Sequence, residues 1–186
     1  SNPFGPGLIS FGIPFAIAFT IIWIVGMINS INFIDGLDGL STGIALIAAV
    51  TLGILSLTIQ VNQPYVAVLC LVLAGALLGF LRFNFQPASI FQGTAGVMFV
   101  GYTLAVLAIL GSTKVVVAVL VLGVPIIDTF WVIVRRLLAG RSPFTPDRGH
   151  IHHRLLDLGL SHRGTVLLIY AICASLGVMS LLASTA

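Results

Sequence analysis

The sequence predicts an all-α fold, a polytopic bundle of about six transmembrane helices that forms one transmembrane domain over residues 1–186. Of the 186 residues, 59% are hydrophobic and 7% are charged, whereas a soluble domain carries charge on about a quarter of its residues. Six apolar runs approach the roughly 20 residues that a spanning helix needs. Backbone groups in hydrocarbon must be paired within their own segment, which favours helices over strands. Composition thus excludes a soluble domain, a disordered chain and a coiled coil.

The six runs and the links between them define the expected elements in chain order. The runs cover residues 11–28, 42–59, 65–81, 97–110, 115–134 and 165–182. Some are shorter than a full span, so we expect tilt or local thinning of the bilayer. Cys70 and Cys173 both fall inside runs and are expected to be core thiols without a disulfide framework.

The links differ in length and charge, and this difference predicts the topology. Two links, residues 60–64 and 111–114, are short, while three others, residues 29–41, 82–96 and 135–164, are long and polar. All seven arginines lie in the long links or at their edges, and Lys114 alone lies on the opposite side. The positive-inside rule therefore predicts a multi-pass membrane protein with cytoplasmic long links and extracytoplasmic termini.

The first long link carries polar side chains at every third residue. Asn29, Asn32, Asp35 and Asp38 follow this spacing, and Ser41 continues it. Two carboxylates with two amides are suited to holding hydrated Mg²⁺ or to reading a ribose or base. The structural alternative is a helix end capped by Asp and Gly. A cap needs one such residue and not four in register, so we favour a functional site.

The second long link mixes a cation, an amide, an aromatic ring and glycines. Arg82, Asn84, Phe91, Gly93 and Gly96 are the residues concerned. Arginine and backbone amides near a helix start suit a phosphate, and an aromatic face suits a base. A re-entrant Pro/Gly connection with interfacial Phe anchors explains the same residues equally well.

The third long link contains three of the four histidines within four residues. His150, His152 and His153 are flanked by Arg148 and Arg154. This cationic setting favours a phosphate or pyrophosphate first, anionic lipid second and zinc a distant third.

Asp128 lies inside the fifth run, seven and eight residues before Arg135 and Arg136. An intramembrane carboxylate is a functional hypothesis by default, but a structural ion pair fits the same spacing. Three nearby polar residues are interpreted as solvated loop residues: Asp157, His162 and Arg163.

Three motifs in this order resemble one known family. They are Asn32-Phe-Ile-Asp-Gly-Leu-Asp-Gly-Leu40, then Asn84 to Gly93, then Asp147-Arg-Gly-His-Ile-His-His-Arg-Leu155. They are similar to the polyprenyl-phosphate N-acetylhexosamine-1-phosphate transferases, the family of phospho-MurNAc-pentapeptide translocase. The resemblance covers essentially the whole chain but only the C-terminal part of a family member.

The resemblance implies transfer of a sugar phosphate from a UDP-N-acetylhexosamine to a polyprenyl phosphate, with release of UMP and with Mg²⁺, or alternatively Mn²⁺, as metal. Asp35 and Asp38 match the metal and nucleotide motif, supported by Asn32. Asn84 and Phe91 match uridine contacts. The loop that closes on the sugar and diphosphate is matched by His150, His152, His153, Arg148 and Arg154. The histidine motif is closer to the branch that uses UDP-N-acetylglucosamine. The partners implied are both substrates and membrane lipid, without nucleic acid, and a homodimer is compatible with the family. The resemblance also implies a location in the plasma membrane, of bacterial type.

Two departures from the family pattern affect the expected activity. Thr94 stands where the family has a metal-binding aspartate, and Val97 stands where it has a serine. The family's first acidic motif is also missing from these residues. We therefore expect this chain alone to be inactive, whether it is a truncated product, a fragment or a chain that pairs with a missing half. The alternatives are a catalytically dead binding or scaffold protein and, less favoured, a transporter motivated by Asp128.

Overall fold

The computed structural model describes residues 12–110, 114–140 and 149–185, and all regular structure in those ranges is helical. The eight helices are α1 (Ile13–Ile34), α2 (Leu40–Leu57), α3 (Pro64–Asn84), α4 (Gly93–Ile109), α5 (Lys114–Val121), α6 (Gly123–Leu138), α7 (Ile151–Asp157) and α8 (His162–Thr185). Both α1 and α3 have a proline in their first turn, where its missing N–H costs no hydrogen bond. The predicted all-α membrane bundle is confirmed.

Helix α2 forms the centre of the bundle. Most of α2 is buried, whereas less than a third of α1, α3 and α8 is buried within the protein. Its helical neighbours are α1, α3, α4, α5 and α8. Because α2 is apolar on all sides, it can be enclosed by other helices, while the outer helices turn apolar faces outward as expected for contact with lipid. Buried Cys70 and Cys173 are free thiols, as predicted.

Small residues allow helices to approach closely at two contacts. A Cβ added to Gly101 of α4 would lie 2.9 Å from Cα of Ile28 in α1, and Trp23 Nε1 donates a hydrogen bond to the Ala105 carbonyl at 3.0 Å. Gly43 of α2 leaves room for the ring of Tyr170 in α8, whose hydroxyl donates to the Gly39 carbonyl. These contacts fix α1 against α4 and α8 against α2.

The fifth predicted run is not one continuous helix, because it bends by 76° between α5 and α6. Pro125 lies in the first turn of α6 and has no N–H to donate to the carbonyl of Val121. The α-helical ladder is therefore interrupted around Leu122, as is usual where a proline enters a helix. The bend gives α6 a direction of its own within the bundle.

Four helices in the described part of the chain are long and apolar enough to cross a membrane, or five if α5 and α6 form one bent span. Helix α4 is apolar but has only 17 residues. Each of the six predicted runs is thus helical, although the runs differ in length and one is bent. The third long link, expected as a loop, contains the short helix α7.

Candidate functional site

The link between α1 and α2 is a tight turn that presents two carboxylates. Gly39 adopts the left-handed conformation with φ of 79°, and a Cβ there would lie 3.3 Å from Cα of Phe85. Glycine is the residue that tolerates both conditions. The turn places Asp35 and Asp38 at the edge of a pocket of about 290 Å³.

Each carboxylate has a different partner. The Ser41 hydroxyl donates to Oδ1 of Asp35, and the backbone N–H of Ala88 donates to Oδ2 of Asp38 at 3.0 Å. Partial burial raises the pKa of the Asp35 carboxyl; the Ser41 hydrogen bond opposes this rise and the charge of Asp38 adds to it. The pocket therefore favours a cation close to Asp35.

A neutral amide–hydroxyl network supports the wall of the same pocket: Asn84 and Gln92 line it, and Thr42 and Ser41 are buried behind them. The Thr42 hydroxyl donates to Oδ1 of Asn84 at 2.7 Å, and Nδ2 of Asn84 donates to the Ile90 carbonyl at 3.0 Å. The Gln92 amide lies 3.0 Å from the Thr42 hydroxyl and 3.3 Å from that of Ser41. The Thr42 and Ser41 hydroxyl protons are already donated to Asn84 and Asp35. The hydroxyl oxygens can therefore accept from Gln92 when its amide nitrogen, and not its oxygen, faces them.

Two further predicted residues line the pocket and are accessible to solvent. The Phe91 side chain is 74% exposed, so its ring is free to stack on a planar ligand. Thr94, in the first turn of α4, is also exposed. Asn84, by contrast, is buried and joins α2 to the α3–α4 link, so part of its hydrogen-bonding capacity is used within the protein.

An arginine from α8 holds the link that carries these residues. Nε and Nη2 of Arg163 donate to the Gln86 carbonyl at 3.1 and 2.9 Å. Arg163 is exposed to solvent, as expected, but it lies in α8 and not in a loop, and it bonds the α3–α4 link. Asp157 is exposed at the end of α7, and His162 begins α8.

The histidine motif lies next to the aspartate turn. His150 Nδ1 lies 2.7 Å from Oδ2 of Asp128, and the His150 ring is nearly parallel to that of His152, with centroids 5.7 Å apart. The His152 ring contacts Gly36, between the two aspartates, and that of His153 is 4.3 Å from the His152 ring. This contact brings the first and third predicted motifs together.

His152 is the most enclosed of these histidines. Its side chain is 1% exposed, and neither ring nitrogen has a hydrogen-bond partner within the described residues. Burial, followed by the neighbouring charges of His153 and His150, lowers the pKa of His152 to about 4. At neutral pH this ring is uncharged.

Two predicted residues lie apart from the carboxylate pocket. Arg154 is exposed and lines a separate, mainly apolar cavity of about 490 Å³ between α5, α6, α7 and α8, together with Asp128. Asn32, in the last turn of α1, is half-buried and does not line the carboxylate pocket. Arg148 falls outside the described residues.

Another apolar cavity, of about 710 Å³, lies between α1 and α6. Its lining includes Asn29, Phe33 and Phe130. Residues of α6 therefore line two mainly apolar cavities.

The aspartate turn offers two carboxylates as candidate metal ligands. Within the described ranges, no group of three or more His, Cys, Asp or Glu residues is arranged to hold a metal ion. Asp35 and Asp38 are close enough for the charge of one to affect the pKa of the other. Mg²⁺ is commonly held by one or two carboxylates, with waters and substrate phosphates as further ligands. The pair fits such a site.

The sequence of the chain matches a known protein family. The family profile described as glycosyl transferase family 4 matches residues 1–112. The chain belongs to glycosyl transferase family 4. It is 40% identical to a probable undecaprenyl-phosphate N-acetylglucosaminyl 1-phosphate transferase of Bacillus subtilis, over 84% of this chain and 45% of that protein.

Other curated relatives show the same relationship. A decaprenyl-phosphate N-acetylglucosaminephosphotransferase of Mycolicibacterium smegmatis is 42% identical, over 83% of this chain and 44% of that protein. An undecaprenyl-phosphate alpha-N-acetylglucosaminyl 1-phosphate transferase of Yersinia pestis is 30% identical, over 97% and 52%. The chain thus spans about half the length of these curated relatives, and the resemblance seen in its motifs is confirmed.

Sequence reasoning assigned no role to several residues that build the site. Gln92 lines the pocket, Thr42 is buried behind it, and Gly36 makes room for His152. Small and hydroxylated residues are common at helix ends, so these residues carried no separate signal. The Asp-Gly repeat was the available signal for Gly36.

Proposed function

We propose that this chain forms the part of an enzyme that binds uridine and carries the histidine motif. The enzyme would transfer N-acetylglucosamine 1-phosphate from UDP-N-acetylglucosamine to a polyprenyl phosphate and release UMP, in cell-envelope glycan synthesis. The observation that carries the proposal is the contact of His152 with Gly36. It joins the histidine motif to the turn that carries Asp35 and Asp38, at the end of the bundle where Phe91 is exposed.

The pocket residues have separate roles in this proposal. The exposed Phe91 ring stacks on uracil, and the neutral Gln92 side chain, which lines the same pocket, supplies hydrogen bonds without repelling the diphosphate. Asp35 and Asp38 would hold Mg²⁺, which when bound screens the charge of the two anionic substrates. The histidine segment, flanked by arginines, lies beside the aspartate turn and binds phosphate oxygens.

The lipid substrate is assigned to the cavities that flank α6. Both are lined mainly by apolar side chains, as a polyprenyl chain requires, and Arg154 supplies a cation to the smaller one. A lipid phosphate near Arg154 would enter from the same end of the bundle as the nucleotide. We place that end in the cytoplasm, on the strength of the arginine distribution.

We infer that the 186 residues alone do not turn over. Thr94 has no charge to offer a metal, and the described pocket holds two carboxylates only. The second candidate function is therefore nucleotide binding without catalysis, and the neutral side chain of Thr94 favours it.

One experiment separates binding from turnover. Membranes containing the chain would be incubated with UDP-N-acetylglucosamine, Mg²⁺ and polyprenyl phosphate, and UMP would be measured. We expect uridine-nucleotide binding but no UMP. Release of UMP by this chain alone would refute the inferred inactivity, and absence of any uridine-nucleotide binding would refute the assigned pocket.

The stacking role has a matched control within the chain. Phe91→Leu removes an exposed ring, so we expect little loss of stability but a loss of uridine-nucleotide affinity of about 1–3 kcal/mol, as for other base-stacking aromatics. Phe99, 64% exposed on α4 and outside the pocket, serves as the control in Phe99→Leu. Equal affinities of the two variants would show that uracil does not stack on Phe91.

A further inference from the structure

Asp128 is the only acidic residue within the fifth apolar run, and both of its carboxylate oxygens are used. Oδ2 lies 2.7 Å from His150 Nδ1, and Oδ1 accepts the backbone N–H of Ile151 at 2.8 Å. The carboxylate is 8% exposed and the His150 ring is buried. A buried carboxylate with two donors in good geometry is a specific arrangement and not a chance surface contact.

The second of these bonds caps a helix. Ile151 is the first residue of α7, and its N–H is one of the groups that a helix leaves unpaired at its start. His150, the residue before it, makes no side-chain capping bond within α7. Asp128 supplies the acceptor from α6, 23 residues earlier in the chain, and so anchors the start of α7 to the bent membrane helix.

The first bond determines which nitrogen of His150 carries a proton. An ionised carboxylate only accepts hydrogen bonds, so Nδ1 of His150 must be the donor. In a neutral imidazole, Nε2 is then the nitrogen with the lone pair. The ring is held further by Phe33, at 5.9 Å between centroids, and by the parallel ring of His152.

We propose that Asp128 is a positioning residue that docks α7 and holds His150 as the Nδ1–H tautomer, with Nε2 as a proton or hydrogen-bond acceptor. The docking and the tautomer rest on the geometry alone. The use of Nε2 on a substrate rests on the proposed transfer function. Through the His150 and His152 rings, Asp128 also determines how closely the histidine segment approaches Gly36 in the aspartate turn.

The tautomer is tested directly by ¹⁵N NMR of the histidine-labelled chain in lipid nanodiscs at neutral pH. The chain has four histidines, and loss of one signal in His150→Gln assigns that residue. We expect a protonated Nδ1 and an unprotonated Nε2. A proton on Nε2, whether alone or together with one on Nδ1, would overturn the proposal.

Substitutions at Asp128 separate its two hydrogen bonds. In Asp128→Asn the amide oxygen still accepts from Ile151, while the amide nitrogen donates to Nδ1 and should move the His150 proton to Nε2. Asp128→Glu keeps the carboxylate and should keep the tautomer. Asp157→Asn, on the exposed end of α7, is the control and should change nothing. An unchanged His150 signal in Asp128→Asn would refute the assignment, and the wild-type measurement decides the tautomer even if that variant does not fold.

The catalytic consequence is measured in a chimera that joins this chain, carrying Thr94→Asp, to the N-terminal half of the Bacillus subtilis relative. We expect Asp128→Asn to lower kcat by about 100-fold or more, as for loss of a general acid–base group, and to leave KM for the UDP-sugar within about twofold. A change in KM without a change in kcat would contradict a role for Nε2. A chimera without activity would count against the proposed function, whereas the NMR result would stand.

Discussion

The contact between Gly36 and His152 joins two motifs and makes a sharp prediction. A Cβ at Gly36 would lie 3.1 Å from Cε1 and 3.3 Å from Cδ2 of His152, and closer still to Nε2. The His152 ring is 1% exposed and has no room to withdraw without moving α7. Overpacking of this kind costs about 1–3 kcal/mol. Gly36 does not have a positive φ, so alanine also recovers about 0.4–1 kcal/mol of backbone entropy.

The net expectation for Gly36→Ala is a loss of about 1–2 kcal/mol in the free energy of unfolding. It would be measured by denaturant unfolding in detergent micelles. Uridine-nucleotide affinity should fall as well, because the displaced ring pushes on the turn that carries Asp35 and Asp38. The control is Gly75→Ala in α3, where nothing lies within 4 Å of the added Cβ. This variant should be as stable as the wild type or up to about 1 kcal/mol more stable.

A double-mutant cycle isolates the contact. In the His152→Ala background the ring is gone, so Gly36→Ala should no longer destabilise the protein, and the coupling energy should reach about 1–3 kcal/mol. If Gly36→Ala has the same cost in both backgrounds, the two motifs are not joined by this contact. The same conclusion would follow if Gly36→Ala were as stable as the wild type.

Three further predictions test other parts of the site. Burial lowers the pKa of His152 to about 4, so the unfolded chain binds a proton at a higher pH than the folded one. The free energy of unfolding should therefore fall by at most about 3 kcal/mol as the pH drops from about 6.5 to 4. His152→Asn should flatten this dependence, and an equally steep curve would show that His152 is not its source. Arg163→Met should weaken uridine-nucleotide binding by about fivefold in a calorimetric titration, since the Gln86 carbonyl loses two donors; unchanged affinity would show that the α3–α4 link keeps its shape without them. Thr94→Asp should raise the affinity for Mn²⁺, a paramagnetic substitute for Mg²⁺, by tenfold or more (about 1.4 kcal/mol). The control Ser89→Asp, at another exposed position, should not raise it. Equal effects of the two substitutions would disprove a metal position beside Thr94.

The helices could be predicted from the sequence because the bilayer leaves few alternatives. An apolar run that must pair all its backbone groups internally forms a helix whatever its neighbours are. The 76° bend in the fifth run was missed because hydropathy averages over a window and does not register one missing N–H. Pro125 was the visible signal, and its effect depends on whether adjacent helices support a straight or a bent span.

The pocket residues were only partly predictable, for a related reason. Asp35, Asp38, Phe91 and Thr94 line one pocket because they lie at the ends of consecutive helices, which the chain order already implies. Arg154 belongs to a different cavity, although it lies only two residues after His152. Successive residues of α7 face in different directions, so proximity in sequence does not decide which cavity a side chain lines.

Asp128 shows where sequence reasoning ends and tertiary structure becomes necessary. A carboxylate in an apolar run is costly to bury unless it has partners, so the sequence marks it as unusual but leaves its partner open. The ion-pair interpretation looked to Arg135 and Arg136, which follow on the same helix. The structure supplies instead two donors from the start of α7, the His150 ring and the Ile151 N–H. The bend at Leu122 gives α6 its own direction. The Asp128 carboxylate on α6 then holds the histidine segment beside the aspartate turn. A residue that hydropathy alone treats as a defect of the span therefore links the membrane helix to the candidate site.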